Sequence, residues 1–297
     1  TASEMGYVVL IPLAMAIFHS ISAFCTAGFS LFPNSLESYA TNLAVVVPIS
    51  VLSLLGGLGF IVLVDLARRV GGHRPATTFT TRVIVTSTLA ILAAATVGLL
   101  LLDPGIASVD VERGWLLAGF QAISALTTVG FNTLPVGDLA AGPLFLVLMV
   151  MIVGASPAGT GGGMKVTTLT AALATVRSTL RQDDAVRWHG RSIPPDRLRL
   201  AFATMVIYLA TIAIATLALL LLESAPFEDL VFEVASALGT VGLSRGGTGD
   251  LRPLGKLLMI AVMVVGRAGP LTVGLALTSP PRKGDDAGFQ KDADLVV

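Results

Sequence analysis

Three short stretches of this chain are variants of one another: FHSISAFCTAGFS at 18–30, FQAISALTTVGFN at 120–132 and FEVASALGTVGLS at 232–244. Phe18, Phe120 and Phe232 hold the same place in each, so the copies recur after 102 and 112 residues. Self-similarity at a long period means one supersecondary unit used several times, which limits the fold more than any single residue does. Each copy is an apolar run that ends in a small residue, then Thr, then Ala or Val, then Gly. The endings are Cys25-Thr26-Ala27-Gly28, Thr127-Thr128-Val129-Gly130 and Gly239-Thr240-Val241-Gly242.

What surrounds the copies is apolar enough to name lipid as the solvent. The 297 residues are 54% hydrophobic and 13% charged, against roughly 25% charged in soluble domains. About 20 apolar residues cross the hydrocarbon core as a helix. The stretches 45–64, 83–102 and 204–222 have that length and no charge, a run from Pro143 breaks up at Gly154, and one over 257–277 is interrupted by Arg267. By contrast 115–127 and 228–239 are too short to cross, which makes them re-entrant candidates. Non-helical backbone at membrane depth persists only where protein covers it or where it lines a watery path. A half-length helix that stops at a Gly-containing turn therefore points to a pore.

Charge is placed in alternate connections rather than in a net excess. Arg68, Arg69, Arg74 and Arg82 follow the first span, six arginines lie between Arg177 and Arg199, and Arg282 and Lys283 follow the last; Asp103, Asp110, Glu112, Glu223, Glu228 and Asp229 fall in the others. Because Lys and Arg accumulate on the cytoplasmic side, the basic connections are assigned inside and the acidic ones outside. A net charge of zero gives no sign of a nucleic-acid partner, and the single cysteine, Cys25, excludes an internal disulfide. His73 and His189 have no metal-ligand spacing. A membrane-embedded enzyme would need a nucleophile with a base, or paired carboxylates, within the spans. These hold no Asp or Glu, and the only His/Cys combination, His19 with Cys25, is unconvincing.

The turn supplies a different chemistry. A cation that sheds its water needs a ring of oxygens, and backbone carbonyls provide one when several loops meet on an axis. Gly28, Gly130 and Gly242 allow the positive φ that aims neighbouring carbonyls inward. Thr26, Thr128 and Thr240 add a carbonyl and a hydroxyl at the inner mouth, and Ala27, Val129 and Val241 add the carbonyls between. Each short helix also turns the negative end of its dipole toward the centre. Small residues permit close helix packing as well, but three aligned copies on half-length segments favour the pore.

Outside the copies, ASPAGTGGGMK at 155–165 interrupts a span with Pro157, Gly159, Gly161, Gly162 and Gly163, and so many helix-breakers leave an unwound segment. It does not fit the phosphate-loop pattern, because Met164 and Val166 stand where Gly and Ser or Thr belong. Arg267 falls mid-span and must face the interior, since a lipid-facing charge there costs about 2.5 to 3.5 kcal/mol. Lys165 is expected to snorkel at the inner boundary. His19 is expected to hydrogen-bond behind its short helix, where the other copies have Gln121 and Glu233. Trp115 reads as an interfacial anchor, and 177–199 as a helix-like inner segment.

The three copies, with MIVGASPAGTGGGMKVTT at 151–168 and VGRAGPLTVGLAL at 265–277, resemble the Trk/Ktr/HKT superfamily of potassium transporters, most closely its Ktr and Trk membrane subunits. The resemblance covers nearly the whole chain. It implies an all-α integral membrane protein of tandem M1-P-M2 repeats (helix, re-entrant pore helix with filter loop, helix) around a pseudo-fourfold pore. On that reading 1–74 is a partial second repeat and 75–180 a third repeat with the Gly-rich loop. Residues 181–200 form a basic cytoplasmic linker, 201–280 a fourth repeat and 281–297 a cytoplasmic tail. The first repeat and the outer helix of the second are not in this sequence, so it reads as a piece of a longer protein.

The implied activity is potassium uptake across a bacterial plasma membrane by a multi-pass protein, with potassium as substrate and no cofactor. Cys25 to Gly28, Thr127 to Gly130 and Gly239 to Gly242 then form the filter. Gly159, Gly161, Gly162, Gly163, Lys165 and Arg267 form an intramembrane gate, where Arg267 either opposes cations or bridges carbonyls. Membrane lipid, a second copy of the chain and a cytoplasmic nucleotide-binding regulatory subunit are the implied partners. Cys25 stands where relatives often have Asn. A sodium- or mixed-cation member of the superfamily, or a non-conducting remnant, are the alternatives.

Overall fold

The computed structural model describes residues 2–72 and 77–278, with side chains in the first helix from Pro12 onward. The expected tail at 281–297, with Arg282 and Lys283, and the loop residues His73 and Arg74 lie outside the described residues. In chain order the helices are α1 (Ala2–Phe24), α2 (Leu43–Leu58), α3 (Phe60–Val70), α4 (Phe79–Leu102), α5 (Pro104–Ala107), α6 (Val111–Thr127), α7 (Ala141–Val153) and α8 (Val166–Arg181). A two-residue hairpin, β1 (Arg187–Trp188) and β2 (Arg191–Ser192), leads to α9 (Pro195–Leu222), α10 (Phe227–Leu238), α11 (Pro253–Ala268) and α12 (Pro270–Thr278).

The repeating unit is plain in this order. A long helix (α4, α9) leads through an acidic turn to a short one (α6, α10), and a loop then returns to an inner helix (α7, α11). Among the described residues α4 and α9 are long and apolar enough to cross a membrane, or four spans if each bent helix pair counts as one. Their outward faces carry Leu101 and Leu221, about four-fifths exposed at 79% and 81%, the surface a lipid-facing helix presents. The acidic turn begins with a cap: Asp103 accepts the Ile106 N–H at 3.0 Å, satisfying one of the donors a helix start leaves over.

Two expected spans are not single helices. The runs 45–64 and 257–277 break at Gly59 and Gly269, where α2 turns into α3 by 102° and α11 into α12 by 93°. Both glycines sit at positive φ, 82° and 87°, and Pro270 lacks the N–H that would continue α11. Apolar length alone does not reveal a sharp bend between two apolar helices. The segment 177–199 also differs from expectation: α8 stops at Arg181, the hairpin intervenes, and Arg197 and Arg199 belong to α9. Pro194 and Pro195 separate the two halves, since the residue before a proline is disfavoured in helical conformation.

The core lies where the short helices meet. Nearly every residue of α10 from Leu230 onward is buried, as are Ala118, Ala122, Ala125 and Leu126 of α6. Contact is close because inner-helix glycines lie on pore-helix backbone. A Cβ at Gly56 of α2 would overlap the Phe24 carbonyl at the end of α1, and one at Gly266 of α11 would overlap the Leu238 carbonyl at the end of α10. Inside a bilayer, where hydrophobic burial between helices gives little, such small-residue approach is the main source of packing energy.

Candidate functional site

The helices α1, α6 and α10 end at Phe24, Thr127 and Leu238, directly before the repeated Thr-x-Gly in the second copy and one residue before it in the other two. In each copy the chain turns the same way. Thr26, Thr128 and Thr240 have φ of 48°, 58° and 50°, Gly28, Gly130 and Gly242 have φ of 68°, 80° and 90°, and Ala27, Val129 and Val241 between them are not in that region. The glycines fit the expectation. The threonines do not come from it: left-handed backbone costs a non-glycine residue about 1 to 2 kcal/mol, and nothing in their side chains announces it.

The strain is held by hydrogen bonds back into the short helix. Ala27, Val129 and Val241 donate their N–H groups to the carbonyls of Ser22, Ser124 and Ser236 at 2.8, 3.2 and 2.8 Å. The serine side chains act too: Ser22 Oγ donates to the Phe29 carbonyl at 2.9 Å, Ser124 Oγ to the Phe131 carbonyl, and Ser236 Oγ accepts the Gly242 N–H at 3.1 Å. These donors are thus turned toward the helix and away from the opposite side of the strand. The three serines hold these turns and were not singled out in the sequence, although their recurrence at one place in every copy was the signal.

The three segments lie edge to edge. A Cβ at Gly28 would overlap the Val129 carbonyl oxygen, and one at Gly130 would overlap the Val241 carbonyl oxygen, whereas one at Gly242 would meet nothing within 4 Å. The middle segment is therefore wedged between the other two. Thr127, Thr128 and Val129 are buried, while Cys25 and Ala27 on one flank and Gly242 on the other are exposed.

Between α7 and α8 the Gly-rich stretch is unwound, as expected, over 154–165. Its backbone is pinned to the end of α2: Ser156 N and Thr160 N donate to the carbonyls of Gly57 and Gly56, each at 3.1 Å, and Phe60 N donates to the Ala158 carbonyl at 3.2 Å. From there it reaches all three copies. Thr26 Oγ1 donates to Thr160 Oγ1 at 3.1 Å, Gly162 N donates to Thr128 Oγ1 at 2.7 Å, and a Cβ at Gly162 would overlap the Gly239 carbonyl and the Thr240 hydroxyl. Gly159 lies against the carbonyls of Gly56 and Gly57 and Gly161 against the Thr127 carbonyl, and Gly163 takes φ of 77°. No sequence signal singled out Thr160.

Two cations bind this loop. Lys165 does not snorkel outward; its Nζ turns back to the Gly161 carbonyl at 2.7 Å and the Gly162 carbonyl at 3.4 Å. The unwound loop leaves carbonyls without helical partners, and at membrane depth a nearby donor is drawn to them. Arg267 Nη1 donates to the Thr160 carbonyl at 3.3 Å. Both line a cavity of about 310 Å³ with Thr240, Thr204 and Pro270, and Arg267 itself is exposed rather than buried.

Comparison with known proteins places the chain in a family. The sequence profile of the TrkH family, described as a cation transport protein, matches residues 2–281. The chain is 36% identical over 283 residues to the Ktr system potassium uptake protein B of Vibrio alginolyticus, covering 93% of this chain and 61% of the relative. It is 38% identical to the protein of the same name from Bacillus subtilis, covering 88% and 59%, and 32% identical to the potassium/sodium uptake protein NtpJ of Enterococcus hirae, covering 88% and 59%. The chain thus spans about three-fifths of these relatives' length. Its fold matches the crystal structure of the potassium transporter TrkH from Vibrio parahaemolyticus with a TM-score of 0.73 at 19% identity, over 94% of this chain and 64% of that one.

Proposed function

This chain belongs to the TrkH family of cation transport proteins, and we propose that it forms three quarters of a potassium-uptake pore in a bacterial plasma membrane. The carbonyls of Thr26, Ala27, Thr128, Val129, Thr240 and Val241 then bind the dehydrated ion. The observation that carries this reading is the edge-to-edge packing of three segments with one backbone conformation. The N–H groups of Ala27, Val129 and Val241 are engaged by the helices behind them, and three helix C-termini turn partial negative charge to the same place. A fourth segment of the same kind fits the open flank between Gly242 and Ala27, and the exposed apolar residues Ile21, Phe24 and Phe29 border that flank.

The loop at 154–165 acts as the gate. It touches the inner threonine of every copy, and its carbonyls are held by Lys165 and Arg267, whose positive charges sit on the ion's way out. Arg267 therefore serves both roles open to it, bridging a carbonyl and opposing a cation. Two copies of the chain and a cytoplasmic nucleotide-binding subunit complete the assembly; the word "system" in the relatives' names supports a membrane component with companions. A mixed potassium/sodium pathway is a second reading, favoured by the name of the Enterococcus hirae relative. Uptake by the complete transporter in a host unable to grow on low potassium decides between them. Potassium uptake that persists against excess sodium, with little sodium uptake, supports the first; equal uptake of both ions supports the second; and no uptake of either refutes both.

A further inference from the structure

We propose that Glu233 and His19 are positioning residues for ion discrimination, each fixing the outer end of one filter segment from behind its pore helix. The inference rests on the reading above and concerns groups that the filter and the gate leave out. His19, Gln121 and Glu233 follow the phenylalanine in the three copies, and all three are buried.

Glu233 faces the stretch just after Gly242. Its Oε1 accepts from Ser244 Oγ at 2.7 Å and from the Arg245 N–H at 2.8 Å, and its Oε2 accepts from Thr248 Oγ1. One carboxylate thus gathers three donors from the strand that leaves the filter. Arg245 extends the hold, with Nη1 2.7 Å from Asp229 Oδ1 and Nη2 donating to the Gly137 carbonyl of the middle copy at 3.3 Å.

His19 makes the same kind of link with other chemistry. Its Nδ1 lies 2.8 Å from the Met15 carbonyl, which only accepts, so Nδ1 carries the proton and Nε2 is left as acceptor. Nε2 receives the Leu31 N–H at 3.3 Å and lies 3.2 Å from Ser30 Oγ. Leu31 and Arg245 each stand twelve positions after their anchor, so the two links hold equivalent points of the repeat. The ring is clamped by Phe32, stacked at 4.9 Å.

The middle copy is held otherwise. Gln121 has no hydrogen-bond partner for either amide atom among the described residues. Instead Asn132 is tied to the first copy: its carbonyl accepts the Leu36 N–H at 3.1 Å, its N–H reaches Ser35 Oγ at 3.2 Å, and its Nδ2 donates to Glu37 Oε1 at 2.7 Å. The wedged segment is secured by its neighbours, and the flanking segments are secured by Glu233 and His19. Whether discrimination comes from cavity size or from carbonyl number and field, it requires that these ends not drift.

The test compares potassium and sodium uptake by the complete transporter carrying Glu233→Ala or Glu233→Gln, with the amount in the membrane measured alongside. Glu233→Ala is expected to lower the potassium-over-sodium preference about tenfold, the weight of one strong hydrogen bond, with the maximal potassium rate retained. Glu233→Gln keeps an acceptor at Oε1 and is expected to restore most of the preference. If Glu233→Ala does not accumulate, Ser244→Ala with Thr248→Val removes two of the three donors and leaves the pore helix untouched; the same loss is expected. Wild-type preference in an accumulating Glu233→Ala, or in that double variant, overturns the inference while leaving the potassium reading intact. A wild-type protein with no preference overturns the potassium reading first, and this inference with it.

Discussion

Replacing Gly130 by alanine tests the edge-to-edge arrangement most directly. The new Cβ would overlap the Val241 carbonyl oxygen, lie 3.0 Å from the Val241 carbonyl carbon and 3.3 Å from the Gly242 Cα, and sit on a backbone with φ of 80°. All three neighbours are backbone, so no side chain can swing aside. Left-handed φ costs an alanine about 1 to 2 kcal/mol. Overpacking against a fixed neighbour adds about 1 to 3 kcal/mol, so a loss of about 2 to 5 kcal/mol is expected from the two terms together. The strain is relieved by spreading the second segment from the third, which widens the ring. The thermal midpoint of the solubilised transporter should fall, and so should its preference for potassium over sodium in competition uptake. Gly242→Ala tests the open flank, because within this chain its Cβ meets nothing within 4 Å and only the φ cost of about 1 to 2 kcal/mol applies. In the complete transporter a fourth segment seated beside Gly242 makes the two substitutions equally severe; a persistently milder Gly242→Ala refutes a segment there. Unchanged midpoint and preference in Gly130→Ala would refute the packing of Val241 against Gly130.

Other substitutions separate filter from gate and from scaffold. Deleting 161–163 removes the residues that lie under Thr128 and Thr240, and the maximal rate of potassium uptake is expected to change several-fold more than the potassium/sodium ratio does; a lost ratio at normal rate contradicts a gating role. Lys165→Gln withdraws the charge held 2.7 Å from the Gly161 carbonyl and should raise the maximal rate with selectivity intact, measured as rubidium influx into vesicles; an unchanged rate places Lys165 outside the gate. Gly266→Ala drives a Cβ into the Leu238 carbonyl and is expected to cost about 1 to 3 kcal/mol, read as a lower midpoint in a thermal melt, with wild-type stability as the refuting result.

The repeated Thr-x-Gly, the 12-residue α10 and the unwound stretch at 154–165 were legible because each is stated in residue types with strong local meaning, whereas α1 and α6 run to 23 and 17 residues and are longer than the expected half-length segments. Glycine at a turn, proline inside a span and an apolar run too short to cross each point to one conformation. The left-handed threonines were not legible, since threonine ordinarily avoids that region and accepts it here only because Ser22, Ser124 and Ser236 hold the strand from behind. The bends at Gly59 and Gly269 were hidden for a different reason: hydropathy is blind to direction, and both arms of each bend are apolar. Lys165 was misplaced because snorkelling is a rule about lipid, whereas its own loop offers carbonyls at closer range.

The copies also differ in an orderly way below the filter. The inner helices carry LLGGLGF at 54–60, MIVGASP at 151–157 and MVVGRAGP at 263–270, which aligns Gly56, Gly154 and Gly266. In the first and third copies this glycine packs on the end of a pore helix, and the bend follows three residues later. The middle copy has no such bend; there the chain runs into the loop at 154–165 before α8 begins. The next position is Gly57 in the first copy, Ala155 in the second and Arg267 in the third, so a large cation stands in one copy where the others have almost no side chain. The two departures meet, since Arg267 donates to Thr160 of the loop. What the copies share sets three equivalent segments edge to edge, the arrangement that the proposed coordination of a spherical ion requires. What they do not share is gathered at one level beneath those segments, and on the proposed reading a single asymmetric plug there would close the pathway without altering the oxygens that select the ion.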